Sequence, residues 1–317
     1  MIRQPSEMVN VEKKIRILIA GFPGIGKSTL ALSAPNPLWV DVDRGFDRVE
    51  AQYRKAVTQP QTYEELLEDL KPNNLKDFET IVIDTGGQMI KFMTPYVIRK
   101  NSKNGQYDGS LSLKGYGAVG REFERLSNYC AYELNKNLVI VFHAKEEKDG
   151  DVTRLRLLVE GQTKDNVWQP MDLGGFIEMQ NGKRVIGFTN CDKYYAKGTH
   201  GIKGIYNIPE LNGGKNTFLT DLFAEVNENI KKETEIAEEQ KALYDGIMNQ
   251  GTDFVNTVEN AETANKALKF LNSQENILTS KKELKSMLYE KTKSLNIKWD
   301  SKKGAFIDAV SSDTVAS

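Results

Sequence analysis

The chain has 317 residues, 43 basic against 44 acidic side chains, a net charge of −1 and 39% hydrophobic residues, which excludes a disordered chain and leaves room for one large and one small domain. Near neutrality excludes a uniformly basic surface but not a local basic groove. No run approaches the ~20 apolar residues of a membrane helix. The N-terminus lacks a signal-like apolar stretch, and two cysteines, Cys130 and Cys191, are too few for a disulfide framework, so a cytoplasmic protein is expected.

Residues 15–20 form a short β-branched run ending in Gly21, the pattern of a strand buried on both faces. The glycine-rich segment Gly21-Phe22-Pro23-Gly24-Ile25-Gly26-Lys27-Ser28 follows, and residues 28–32 open a helix. A second strand is expected at 38–43, a helix at 63–70, a third strand at 80–84 and a helix at 86–99. Residues 100–120, rich in Gly, Ser, Asn and Lys, read as a long loop. A helix at 122–134 and a fourth strand at 138–143 come next. Residues 152–159, 175–179 and 183–189 alternate, with Asn181-Gly182 as a turn, which suggests antiparallel hairpins appended to a mostly parallel sheet. The expected organisation is an α/β core over 1–224, a charged helical linker at 225–244, and a small all-helical domain at 245–317 with a frayed end. Ser280-Lys281-Lys282-Glu283 matches a capping box ahead of Leu284, Met287 and Leu288.

A triphosphate must be desolvated and held by many donors. Gly21, Gly24 and Gly26 are spaced for a turn that points successive backbone N–H groups at one anion, backed by the dipole of the following helix. Lys27 can reach the terminal phosphates, Ser28 supplies a hydroxyl for Mg²⁺, and Phe22, Pro23, Ile25 and Thr29 complete the loop. A second acidic group for the metal's water shell belongs at the end of a neighbouring apolar strand, where Asp84 stands. Asp43 is the candidate for handling the attacking water and Asp41 its competitor, since alternation puts both on one side of the second strand. His143, ending the fourth strand, is a candidate sensor of the terminal phosphate.

In this order, Gly21 to Thr29, the stretch Trp39-Val40-Asp41-Val42-Asp43-Arg44-Gly45-Phe46-Asp47, residues 80–85 and residues 139–145 resemble the RecA-like ATPases, and the short phage-encoded RecA-core recombinases of the single-strand annealing group most of all. Lys193-Tyr194-Tyr195-Ala196-Lys197 adds a weaker match. The resemblance implies ATP as the nucleotide. It places the catalytic carboxylate at Asp43, one methylene shorter than the glutamate of RecA, and the polar sensor at His143, where an amide is usual. It also implies that Lys193 and Lys197 reach the ATP of a neighbouring subunit. Such a site requires head-to-tail assembly into a ring or filament.

Arg99, Lys100, Lys103, Lys114 and Arg121, with Tyr107 and Tyr116 among them, offer the cations and stacking faces that sequence-tolerant binding of single-stranded DNA uses. By resemblance this loop is the first of two that face DNA. Residues 145–169, with Lys148, Arg154, Arg156, Lys164 and Trp168, are the second. A P-loop motor or switch acting on a protein partner through the helical domain stays open as an alternative. A small-molecule kinase is disfavoured, because residues 52–77 are too poor in arginine for a phosphate-clamping lid.

Overall fold

The computed structural model describes residues 12–150, 152–159 and 167–308. Lys164 and the end expected to fray, 311–317, lie outside them. The described residues divide into two compact units, one over 12–230 and one over 231–308.

The first unit is built on β1 (Arg16–Gly21), β2 (Pro37–Asp41), β3 (Val57–Thr58), β4 (Thr80–Asp84), β5 (Asn137–Asp149), β6 (Val152–Leu157), β7 (Leu173–Gln180), β8 (Lys183–Gly187) and β9 (Ile205–Asn207). Its helices are α1 (Lys27–Ala31), α2 (Tyr63–Asp69), α3 (Gly86–Lys100), α4 (Leu113–Asn128) and the first part of α5 (Phe218–Asn256). The sheet runs β3-β2-β4-β5-β1-β7-β8-β9, with β6 paired to β5. The strands from β3 to β7 are parallel, and β8, β9 and β6 are antiparallel additions. This is the mostly parallel sheet with appended antiparallel hairpins expected of the core.

Alternation sorts each central strand into two buried faces, as a sheet covered on both sides requires. Leu18, Ala20, Ile81, Ile83, Ile140 and Phe142 enter one core with α2, α3 and α4. Ile17, Ile19, Val82, Val139 and Val141 enter the other, with Leu30 and Ala31 of α1. Two phases matter later. Asp84 follows Val82 and His143 follows Val141 by two residues, so both side chains emerge on the α1 side of the sheet.

The expected loop at 100–120 is much shorter. α3 continues to Lys100, a 3₁₀ turn covers Ser102–Asn104, and α4 begins at Leu113 behind a Ser112 N-cap whose hydroxyl accepts from Gly115 N. Glycines 115, 117 and 120 argue against a helix by propensity. Packing overrides it, because a Cβ at Gly115 would collide with the Asn104 carbonyl, so only glycine lets the helix lie against the 3₁₀ turn. Half of the expected loop at 145–169 is also ordered as a ladder, since β5 runs on past His143 to pair with β6. α4 ends in a π turn, Tyr129–Glu133.

In the second unit α6 (Ala261–Ser273) and α7 (Ser280–Ser294) pack with the end of α5 around Val258, Ala264, Leu271, Leu284 and Leu288. The helical region also carries a hairpin, β10 (Ile297–Asp300) with β11 (Ala305–Asp308), whose Phe306 joins this core. The capping box expected at Ser280–Glu283 does not form. The N-cap of α7 is Thr279, the buried Ser280 hydroxyl has no partner among the described residues, and Glu283 instead accepts from the hydroxyls of Tyr244 and Thr279. A reciprocal box does cap α6, between Asn260 and Thr263. No helix among the described residues is long and apolar enough to cross a membrane.

Candidate nucleotide site

The loop between β1 and α1 turns on two glycines in the left-handed region, Gly24 at φ 78° and Gly26 at φ 93°. A side chain at either would be strained, so the glycines permit the turn itself. α1 is short, and the cradle therefore rests on loop N–H groups and on Lys27 more than on a helix dipole. Lys27 is buried, and its ammonium donates to the carbonyl of Phe22 at 2.8 Å. Burial pulls its pKa below the usual lysine value, and Asp84 and then Asp43 push back. Phe22, Pro23 and Gly24 are exposed, while Ile25 packs against the core and the Thr29 carbonyl accepts from Asn216 at 2.6 Å.

Asp84 reaches this loop although β5 stands between its strand and β1. The register pairs Gly21 with His143 across β1 and β5, and Asp84 with Val141 across β4 and β5. The parallel strands thus end together, and the site forms at their carboxyl ends. Asp84 is buried. Its pKa is raised to about 6, first by desolvation; the Ser28 hydrogen bond and Lys27 lower it, and Asp41 and Asp43 raise it.

Mg²⁺ takes hard oxygen donors, keeps several waters and needs only one or two protein ligands beside phosphate oxygens. The Ser28 hydroxyl and the Asp84 carboxylate, held together beside two more carboxylates, fit that requirement. Among the described residues there is no cluster of three or more His, Cys, Asp or Glu side chains that would form a self-sufficient metal cage.

The two aspartates of the second strand part company. β2 ends at Asp41, which is fully buried and accepts from Gly45 N at 2.7 Å, Phe46 N at 3.0 Å and Gln59 Nε2 at 2.7 Å. That carboxylate is spent on shaping the turn. Asp43 lies past the strand, in the turn, where its backbone N–H donates to the Asp84 carbonyl. Its side chain is partly exposed, paired with Arg48 at 3.1 Å and 4.0 Å from His143 Nε2. Burial is the main influence lowering the His143 pKa; Lys27 adds to it and Asp43 opposes. Burial thus favours the neutral ring, and its buried Nδ1 has no partner among the described residues.

The remaining candidates are dispersed. Arg99 pairs with Glu64 at 2.5 Å and Lys100 lies over the Tyr96 ring, 4.5 Å from its centroid. Lys103, Tyr107 and Lys114 are exposed, whereas Tyr116 is half-buried on α4. Lys193 is ion-paired with Glu178, and the Lys197 ammonium lies 3.4 Å from the Gln169 carbonyl. Lys197 lines a separate cavity of about 620 Å³ with Arg156, Trp168, Phe176 and Tyr195.

Two cations at the nucleotide site were not legible in the sequence. Arg48, five residues after Asp43, has no spacing rule to mark it, and Arg184 arrives from β8, where a Cβ at Gly26 would strike its guanidinium.

The model of the AAA domain family AAA_24 matches residues 13–200. No match is found among curated proteins. Among solved structures, the chain is similar to a KaiC-like protein from the hyperthermophilic archaeon Pyrococcus horikoshii, at 12% identity and a TM-score of 0.34 over 62% of this chain and 89% of that one. It is also similar to an ATPase of the type III secretion system of pathogenic bacteria, at 14% identity and a TM-score of 0.35 over 52% and 51%. The family model spans more than half of the sequence and includes the loop, Asp43, Asp84 and His143, so the chain belongs to the AAA domain family.

Proposed function

We propose that this protein binds and hydrolyses Mg-ATP and couples that cycle to binding of single-stranded DNA, promoting strand annealing or exchange as in the phage recombinases it resembles. The cavity beside the β5–β6 hairpin carries the DNA part of the reading. Tyr195 presents an exposed aromatic face there, with Trp168 and Phe176 buried behind it, and Arg156 adds a cation. Trp168 and Tyr195 meet edge to face at 5.0 Å. Aromatic platforms beside cations are what sequence-tolerant single-strand binding requires. Exposed Lys103, Tyr107 and Lys114 between α3 and α4 would offer a second set of contacts.

In this reading Lys27 and the loop N–H groups hold the phosphates, and Ser28 and Asp84 hold Mg²⁺, which supplies charge neutralisation at the terminal phosphates. Asp43 accepts the proton of the attacking water. Neutral His143 responds to the terminal phosphate, and the same strand continues into the hairpin whose Leu155 and Leu157 wall the cavity. The Leu158 N–H closes the path by donating to the His143 carbonyl at 2.7 Å. Self-association belongs to the proposal. Lys193 and Lys197 would reach a neighbour's nucleotide only across a heterologous interface, which generates rings or filaments.

The test is ATP turnover and single-strand affinity, each with and without the other ligand, across a salt series. Single-stranded DNA is expected to stimulate turnover, and ATP to tighten DNA binding. If neither ligand affects the other, the DNA reading fails and an ATPase acting on a protein partner replaces it.

Two substitutions sharpen the proposal. Asp43→Asn is expected to lower kcat by about a hundredfold or more while ADP affinity stays near that of the wild type, because general-base loss acts on the water and not on the bound phosphates. Steady-state kinetics beside calorimetric ADP binding measures both. Tyr195→Ala should weaken single-strand binding by about tenfold, the scale of one lost base stack, without changing ADP affinity. Fluorescence anisotropy with a labelled oligonucleotide checks this, and unchanged affinity would remove the cavity from the DNA path.

A further inference from the structure

The phosphate loop lies between two groups of side chains that come from opposite halves of the sheet. Asp84 and His143 enter from β4 and β5, on one side of β1. Arg184 enters from β8, two strands away on the other side. Its phase brings it there, because Arg184 and Ile186 alternate onto one face and Ile186 lies in the α1-side core. The guanidinium rests against Gly26, the residue before Lys27.

Arg184 is only half-buried, yet no carboxylate or carbonyl among the described residues bonds its guanidinium. Lys27, on the same loop, does have a partner, the Phe22 carbonyl. Arg184 shares a small recess with Thr29, Leu30, Pro209, Leu211 and Phe218. Asn216 ties that recess to the loop by donating to the Thr29 carbonyl. A permanently charged, planar donor set left unpaired against a phosphate cradle is a site for an anion.

The direction of a nucleotide in the loop follows from these placements. The metal pair, the water-handling candidate and the sensor candidate all lie toward β4 and β5, so the terminal phosphate points that way. The nucleoside end then points toward β8. We infer that Arg184 binds the nucleotide from the same subunit at its nucleoside-proximal phosphate, with the recess of Thr29, Leu30 and Phe218 beneath the sugar and base. The inference rests on the Mg-ATP reading above and adds to it a second cation, of a different element and on the opposite side from Asp84.

The test compares the wild type with Arg184→Ala and Arg184→Lys in calorimetric titrations of ADP, AMP and adenosine. A charge-assisted contact to phosphate is worth about tenfold to a hundredfold in affinity. ADP and AMP affinity should fall by that factor in Arg184→Ala and by less in Arg184→Lys, while adenosine is unaffected. kcat/KM for ATP should fall in Arg184→Ala by a factor similar to that for ADP affinity. Thermal unfolding of the nucleotide-free variants confirms that they are folded. A folded Arg184→Ala that binds ADP as the wild type does overturns the inference alone. A fall in kcat with unchanged ADP affinity overturns it too, by moving Arg184 to the other end of the phosphate chain. A wild-type protein that binds no adenine nucleotide overturns the Mg-ATP reading and this inference with it.

Discussion

Lys27→Ala is expected to lower ATP turnover by about a thousandfold or more and to weaken binding of ATP more than of AMP. The scale is that of removing one cation from a transferring phosphoryl group in a water-poor site. The surroundings of Lys27 explain the size. The ammonium is almost fully buried, with one carbonyl partner at 2.8 Å and Asp84 and Asp43 close enough to raise its pKa against the pull of burial. It is the cation that burial has stripped of water and that faces the acidic side of the loop. A triphosphate entering the cradle gains its charge without first displacing a tight ion pair. Single-turnover kinetics and titrations of ATP, ADP and AMP measure the effect. Turnover within tenfold of the wild type would place the chemistry elsewhere. The fold should survive the change, because the core on this face is made by Ile17, Ile19, Leu30 and Val139, and the lysine contributes no apolar surface that they need.

Asp84→Asn is expected to act in opposite directions on stability and function. Asp84 is buried beside Asp41 and Asp43, and its pKa stands near 6 in place of the usual carboxylate value. A folded-state pKa raised above the unfolded one means that the folded protein holds the proton more tightly. The favourable contribution is complete below the unfolded pKa, near 4, and is lost as pH rises through about 6. Above pH 6 the wild type therefore carries the full cost of an ionised, desolvated carboxylate, on the order of 3 kcal/mol from a shift of roughly two units. The amide carries no such cost and can still accept the Ser28 hydrogen bond. Nucleotide-free Asp84→Asn should thus be more stable than the wild type at pH 7–8. Its advantage should shrink as pH falls from about 6 toward 4.

The same substitution removes the proposed anionic metal ligand. Turnover is expected to drop by about a thousandfold, and Mg²⁺ should no longer strengthen nucleotide binding. In the wild type, Mg-nucleotide affinity should decline as pH falls through 6, where protons compete for Asp84. Urea denaturation from pH 4.5 to 8 and ADP titrations with and without Mg²⁺ test the two halves separately. Equal stability of the two proteins at pH 8 would show that the carboxylate is better solvated than its position implies. A buried carboxylate kept at a cost in stability is what a metal site requires, since the ligand must be short of compensation before the cation arrives.

Much of the candidate nucleotide site could be read from local pattern alone. Residues 15–21 alternate between two cores because β-branched residues in a short run suit a strand covered on both faces, and glycines at 24 and 26 mark the turn because only glycine takes its left-handed backbone freely. Asp84 and His143 were legible for the same reason, each closing an apolar strand whose register is imposed by its hydrophobic phase. Pattern preferred Asp43 to Asp41 only for its place nearer the C-terminal end of the strand. Both fit one face of an extended strand, and only the turn after β2, which wraps three donors around Asp41, leaves Asp43 for the site.

Tertiary structure decided the rest where contacts distant in sequence set the outcome. The helix start at Leu113 depends on Asn104 lying against Gly115, which outweighs the poor helix propensity of that segment. The extension of β5 past His143 exists because β6 pairs with it, and that pairing is what carries Leu155 and Leu157 to the aromatic cavity. At the C-terminus the β10–β11 hairpin forms around Phe306 packing with α6 and α7, in a segment whose charged residues hide a strand pattern. Arg184 has no motif, and its place beside Gly26 follows from the order of strands in the sheet. Short-range chemistry specified the phosphate loop, whereas strand order and packing determined which charges surround it.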